Sequence, residues 1–270
     1  MSANGQTQPT AQITIGGKVY EARSPSDNLA ALKDGNYRLR CLLYGRAGTG
    51  KSRMACTFPG TKGIIDTDSG ALVYTDKWGP CKIWSIGEDS TLSAGKPTAW
   101  EAARQILDIM ISDPDIDCIV LDSFTTLADA CIKKIMSDAG RDSQAPSFVE
   151  WSRQMELLKE FLFKAFSSGK HVISIFHEDV EKDELTGQIW CLPLITGKLA
   201  RKIPGYHDEV YHMEPTVQGN TKVYQVLTRA TRMYVAKSRL DSLIGLPEKI
   251  DADFSVIMKK IQAVQSPSTR

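Results

Sequence analysis

The sequence lacks any pair of cysteines at metal-ligand or redox spacing. Its six cysteines stand at positions 41, 56, 81, 118, 131 and 191, with no C-x-x-C among them. That excludes a zinc ribbon and a disulfide scaffold and fits a reducing cytoplasm. Cys41 and Cys118 fall inside apolar runs, where cysteine behaves as a small hydrophobe. Charge of one sign is also missing. With 33 Lys and Arg against 32 Asp and Glu, the formal net charge is +1, so any contact with nucleic acid must come from a local patch. No apolar stretch reaches membrane-spanning length, and MSANGQTQPTAQ at the start lacks the charged-then-apolar pattern of a signal peptide. Internal repeats and low-complexity tracts are absent too. Residues 1–12 and 263–270 are expected to be disordered tails.

What is present is an alternation of short apolar runs and helix-patterned stretches. At 270 residues, 42% hydrophobic and 24% charged, the composition is that of a globular protein. Residues 13–36 read as an N-terminal hairpin around Gly16-Gly17 with a lead-in, and residues 37–262 as the core. From Tyr37 the rhythm becomes strand, turn, helix: YRLRCLLY is followed by a helix from Lys51 to Thr57, stopped by Pro59-Gly60. KGIID and CKIWSI are short strands, and AWEAARQILDIMIS has helical spacing up to Asp113-Pro114. DCIVLD (117–122) and HVISIF (171–176) are almost wholly apolar, as parallel strands covered on both faces should be. Between them lie a helix over 125–138 and a longer one through Ser168, opened by the S-x-x-E capping box of Ser147 and Glu150. Phe148, Trp151, Met155, Leu158, Leu162 and Ala165 are assigned to one apolar face of the longer helix. Beyond residue 177 the alternation stops, and antiparallel strands are expected near 208–214, 222–228 and 232–237. The fold class is α/β: a mostly parallel sheet flanked by helices, with antiparallel strands added on the C-terminal side.

The stretch LLYGRAGTGKSRM (42–54) carries the chemistry. Gly45, Gly50, Lys51 and Ser52 satisfy G-x-x-x-x-G-K-[ST], and Gly48 adds a further glycine. Phosphates are gripped by backbone N–H groups arranged in a concave nest, and a Cβ at several of those positions would block their approach. The segment Gly45, Arg46, Ala47, Gly48, Thr49, Gly50, Lys51, Ser52 and Arg53 is therefore expected to hold the phosphates of ATP. The helix that follows turns unpaired N–H groups toward the anion. Lys51 brings a point charge to the β and γ phosphates, and the Ser52 hydroxyl reaches Mg²⁺. Asp122, closing DCIVLD at the carboxyl edge of the sheet, is expected to supply the carboxylate on the Mg²⁺ side. A helix N-cap at Asp122 or Ser123 is the structural alternative, and the two roles can coexist.

At these residues the chain resembles the RecA-like P-loop ATPases, most closely the compact ones of bacteriophages that include single-strand annealing proteins. CIVLDSFTTLAD resembles their Walker B strand and GIIDTDSGAL (63–72) the strand that carries a catalytic carboxylate just past its end. The resemblance implies that Asp68 orients and deprotonates the attacking water, although that family usually has glutamate there. Asp68-Ser69-Gly70 reads equally as a plain turn. HVISIFHED (171–179) is similar to the strand that ends in a γ-phosphate sensor, which makes His177 the sensor. YVAKSRL (234–240) resembles a K-x-R strand whose cations enter the neighbouring subunit's site, so Lys237 and Arg239 are implied to be trans-acting fingers. The implied partners are a second copy of the chain in a ring or filament, single-stranded DNA, and a single-stranded DNA-binding protein. The implied location is the cytoplasm, the host's if the protein is phage-encoded.

By position, the DNA-contacting loops of that family correspond to 139–147, with Arg141, and to the region after His177. Residues 178–184 carry a net charge of −4, which repels phosphate, whereas residues 191–239 carry a net of +5. Lys198, Arg201 and Lys202 are the expected phosphate-tracking patch, and Trp190 is placed to stack on bases. A solvated helix face explains the same cations. Two rival functions share the phosphate loop. A nucleoside or nucleotide kinase would need an arginine-rich lid, for which Arg201, Arg229 and Arg232 show no compact pattern. A nucleotide-gated assembly or loader protein would bind ATP and turn it over little.

Overall fold

The computed structural model describes residues 12–21, 37–87, 98–182 and 184–265. Most of the two expected tails, 1–11 and 266–270, and the lead-in over 22–36 lie outside the described residues. The chain divides into two compact units, Arg38–Lys259 and Met1–Tyr37 with Lys260–Arg270. In the smaller unit, β1 (Gln12–Ile15) pairs antiparallel with β2 (Lys18–Glu21) around Gly16-Gly17.

The larger unit begins with β3 (Arg40–Tyr44), the turn Gly45–Gly50 and the short helix α1 (Lys51–Cys56). β4 (Lys62–Asp66) and β5 (Cys81–Ser85) follow, then α2 (Ala99–Ser112) and β6 (Cys118–Asp122). Next come α3 (Phe124–Asp138), α4 (Phe148–Phe166) and β7 (His171–Phe176). The chain then forms the hairpin β8 (Glu178–Lys182) and β9 (Ile189–Pro193), α5 (Leu199–Tyr206) and β10 (Glu209–Met213). A small hairpin, β11 (Thr216–Gln218) and β12 (Thr221–Val223), precedes β13 (Gln225–Leu227) and β14 (Lys237–Ser238). α6 (Asp241–Ile244), β15 (Lys249–Asp251) and α7 (Phe254–Gln265) close the described chain.

Six strands run parallel in the order β10-β3-β7-β6-β4-β5. β13 and β14 pair antiparallel with β10, and β15 pairs antiparallel with β13. The α/β architecture expected from the sequence is the observed one. Period-2 alternation explains why helices cover both faces. Leu42, Tyr44, Ile119, Leu121, Val172 and Phe176 join the core beneath α2, α3 and α4. Their neighbours Cys41, Leu43, Val120, Ile173 and Ile175 are equally buried on the other side.

Two local expectations need correction. Phe148 is 83% exposed, because α4 opens there; the buried face is Gln154, Leu158, Phe161, Leu162, Ala165 and Phe166. The strand expected at 232–237 contracts to Lys237–Ser238, since antiparallel pairing with β10 reaches only Glu209 and Val210. The capping box stands: Ser147 Oγ accepts the Val149 N–H at 3.3 Å, and Glu150 Oε2 accepts the Ser147 N–H at 2.7 Å.

Candidate nucleotide site

The turn after β3 follows from its glycines. Gly48 has φ 73° and Gly50 φ 97°, conformations open to glycine and strained for other residues. At Gly50 space forbids a side chain as well, because a Cβ there would lie 2.4 Å from the Tyr224 ring. Lys51 is buried, and its ammonium donates to the carbonyls of Gly45 and Arg46, both at 2.9 Å. Burial pulls the Lys51 pKa down, while Asp122, Asp68 and Glu178 favour its charged form. A second ammonium, that of Lys222, donates to the Gly48 carbonyl at 2.5 Å from just beyond the β11–β12 turn.

β7 separates β3 from β6, so the carboxyl ends of three neighbouring strands present the phosphate loop, His177 and Asp122 along one edge. Asp122 is buried and accepts from Tyr74 Oη at 2.8 Å and from the Ser52 hydroxyl. Burial raises its pKa against those two bonds, and the nearby Asp68 and Asp66 push in the same direction as burial. The Asp122–Ser123 peptide bond is cis. Ser52 and Asp122 thus face one another as a hydroxyl and a carboxylate, the hard oxygen donors that Mg²⁺ takes. Among the described residues no group of three or more His, Cys, Asp or Glu could hold a metal ion.

Asp66 and Asp68 have separate tasks. Asp66 ends β4 fully buried; its Oδ1 accepts the N–H groups of Asp68 (3.2 Å) and Gly70 (3.0 Å), and its Oδ2 accepts Ser85 Oγ (3.1 Å). It shapes the turn. Asp68, two residues on, looks outward from that turn. Its Oδ1 accepts Ser123 Oγ at 3.0 Å and Thr126 Oγ1, and its Oδ2 lies 3.0 Å from His177 Nε2. Burial alone would raise its carboxyl, but the bonds from His177, Thr126 and Ser123 hold it below the ordinary aspartate value.

Sequence reasoning missed several participants. Glu178 reads from sequence only as part of the acidic run after His177, yet its side chain is buried between His212 Nε2 (2.8 Å) and Arg46 Nε (3.4 Å) of the phosphate loop. The His212 ring stacks on Tyr234 at 3.8 Å. Tyr74 on Asp122, Thr126 on Asp68 and Tyr224 over Gly50 had no local motif to reveal them. The guanidinium of Arg53 lies 4.6 Å from the centroid of Tyr224 and 5.4 Å from that of Trp78.

The remaining expected residues stand away from this edge. Lys237 and Arg239 lie at the opposite, amino end of β10, where Glu209 is level with Cys41 of β3. Arg239 pairs with Asp208 at 2.6 Å, yet its side chain remains 61% exposed. Arg141 is bonded to Glu150, Gln144 Oε1 (2.8 Å) and the Ala145 carbonyl (3.3 Å), fastening the 139–147 loop to the start of α4. Trp190 and Arg201 come together on a concavity of about 670 Å³ between the β8–β9 hairpin and α5. Arg201 there pairs with Glu181 at 2.8 Å. Lys198 and Lys202 are exposed on or beside α5.

A glycine-rich loop between a central parallel strand and a helix, with a buried Asp at the end of the strand after next, defines a P-loop NTPase domain of RecA-like fold. The sequence matches the AAA domain family AAA_24 over residues 37–240, most of its length, and the chain belongs to that family. No curated protein matches the sequence. The fold is similar to the crystal structure of the RadB recombinase, at 13% identity and TM-score 0.39, covering 73% of this chain and 85% of that one. It is also similar to a KaiC-like protein from the hyperthermophilic archaeon Pyrococcus horikoshii OT3, at 13% identity and TM-score 0.38, covering 71% and 78%. Among the described residues no helix is long and apolar enough to cross a membrane.

Proposed function

We propose that this chain binds ATP with Mg²⁺ and hydrolyses it. As a cytoplasmic oligomer, it binds single-stranded DNA and promotes annealing in phage-type recombination. The observation that carries the ATP reading is the convergence of Lys51, Ser52, Asp122, Asp68 and His177 on one edge of the parallel sheet. Mg²⁺ bound at Ser52 and Asp122 would neutralise the phosphate charge that builds during transfer. Membership of the AAA domain family and the phosphate-loop geometry support the same chemistry.

The nucleobase is assigned to the rings beside the loop. Tyr224 and Trp78 flank Arg53, which follows the loop directly in sequence. Base stacking on an aromatic ring contributes roughly 1–3 kcal/mol. Tyr224→Ala is therefore expected to weaken ATP binding about tenfold and to leave inorganic tripolyphosphate binding unchanged. Equal losses for both ligands would mean that Tyr224 only props the loop at Gly50.

Support for DNA binding comes from the hairpin that follows His177 and from α5, which bring Trp190 and Arg201 to one concavity with Lys198 and Lys202 exposed nearby. Each phosphate that a single strand has neutralised by a cation adds about 0.7 to the salt slope of binding. Replacing Lys198, Arg201 and Lys202 together by alanine is expected to lower that slope by about 2. An unchanged slope would place the patch elsewhere.

A second reading, a nucleotide-gated assembly protein with little turnover, is favoured by one observation. Asp68 already accepts hydrogen bonds from Ser123 and Thr126 and lies against His177. ATPase rate with and without single-stranded DNA, read beside particle size, separates the two. DNA-stimulated turnover supports the first, and nucleotide-dependent oligomers without turnover support the second.

A further inference from the structure

We propose that His177 is the general base of this site and that Asp68 is the residue that positions it. The inference rests on the ATP-hydrolysing reading above and reverses the division of labour that the family resemblance implies. Asp68 is poorly placed to take a proton. Two hydroxyls engage its Oδ1, its Oδ2 faces the imidazole, and its basicity is lowered by those bonds. An ionised carboxylate has no hydrogen to give, so His177 Nε2 must carry the hydrogen and donate it to Asp68. That fixes the neutral tautomer and leaves the lone pair on Nδ1, which makes no hydrogen bond to a described residue.

The histidine is held at its backbone as well. Its N–H donates to Thr125 Oγ1 at 3.1 Å, and its carbonyl accepts the Leu194 N–H at 2.8 Å. Thr125 Oγ1 in turn donates to the Leu194 carbonyl at 2.7 Å. The ring is 33% exposed, enough for water to reach it, and it emerges between the strand of the phosphate loop and that of Asp122. An imidazole backed by a carboxylate, locked in one tautomer and open at its second nitrogen, is a general base by construction. The charged groups around it are Asp68 from the turn after β4, Asp129 from α3 and, behind Asp68, Lys51 from α1.

In the step assigned to it, a water oxygen forms a bond to the γ-phosphorus. The bond from that phosphorus to the bridging oxygen breaks, and its electron pair leaves on ADP. The water proton passes to His177 Nδ1, Asp68 stabilises the resulting imidazolium, and the proton is then released to phosphate or solvent. No further reactant is needed.

Single-turnover hydrolysis, measured across pH with ATP binding followed separately by a fluorescent analogue, tests the assignment. Wild-type turnover is expected to rise with pH, because a general base accepts a proton only in its unprotonated form. His177→Gln keeps a hydrogen-bonding side chain without basicity. It should retain nucleotide affinity, lose the ascending limb and slow turnover about 10²–10⁴-fold. Asp68→Asn should slow turnover and move the limb to lower pH, because the imidazolium loses its counter-charge. A γ-phosphate sensor would survive the glutamine substitution, so a wild-type rate in His177→Gln overturns the proposal. A flat wild-type profile does so too, as does binding without turnover. If ATP fails to bind the wild-type chain, the phosphate-loop reading itself falls; if ATP binds and turns over but His177→Gln is unaffected, only the base is misassigned.

Discussion

Replacing Lys51 by alanine is expected to abolish ATP binding and turnover together. Lys51 is the buried cation of the loop, and three carboxylates, Asp122, Asp68 and Glu178, favour its charged form there. A triphosphate brought to the loop without it would meet those carboxylates uncompensated, so binding and chemistry should fail at once. Thermal unfolding with and without ATP and Mg²⁺ is the direct check. A ligand at a hundred times its Kd stabilises the folded state by about 2.7 kcal/mol, and that gain should vanish in the variant. The two carbonyls that lose their ammonium, Gly45 and Arg46, belong to a loop whose Arg46 and Ala47 are exposed, so the variant should still fold. ATP-dependent stabilisation equal to the wild type would remove the nucleotide assignment.

The second large effect is expected at Arg239. Within one chain it cannot serve its own phosphate loop. Its neighbour Ser238 pairs with Glu209, level with Cys41. Arg239 lies one residue further on beside Asp208, more than three residues and about 10 Å back along β3 from Tyr44, at the far edge of the sheet. Yet its guanidinium is largely exposed and held in one direction by Asp208. If it completes a neighbour's site, Arg239→Ala should slow turnover about 10³-fold or more while leaving nucleotide affinity intact, since arginine fingers contribute at that scale. Mixing Arg239→Ala chains with Lys51→Ala chains should then restore part of the activity, because one chain supplies the loop and the other the finger. Absence of rescue, with mixed oligomers demonstrated by size, would assign the Arg239–Asp208 pair to fold stability alone. Lys237, two residues away on β14, is expected to show the same behaviour at smaller amplitude.

How much of this was legible beforehand differs element by element. The phosphate loop, the buried strands ending in Asp122 and Phe176, and the Ser147–Glu150 capping box rest on neighbours in sequence, and the structure places them as the motifs imply. Asp68 and His177 stand out separately in the sequence; that they touch was not foreseeable, because 109 residues separate them. Charge counting does not reveal that Glu178, one member of an acidic run, is buried against His212. Nor does it reveal that Arg201 of the basic patch is paired with Glu181, from the very run expected to repel DNA. Tyr224 against Gly50 left no trace in either local pattern.

By itself, then, the order of residues determined the phosphate loop, the alternation of buried strands with helices, and the identity of the carboxylate at the end of β6, because each depends on spacing within a few residues. Only the tertiary structure decided that β7 inserts between β3 and β6, which brings His177 to Asp68 and sets the loop beside Asp122. It also sent Arg239 to the opposite edge. The physical reason is that strand order is selected by burial of whole faces and by the pairing of distant backbones, energies to which no single stretch of sequence contributes alone.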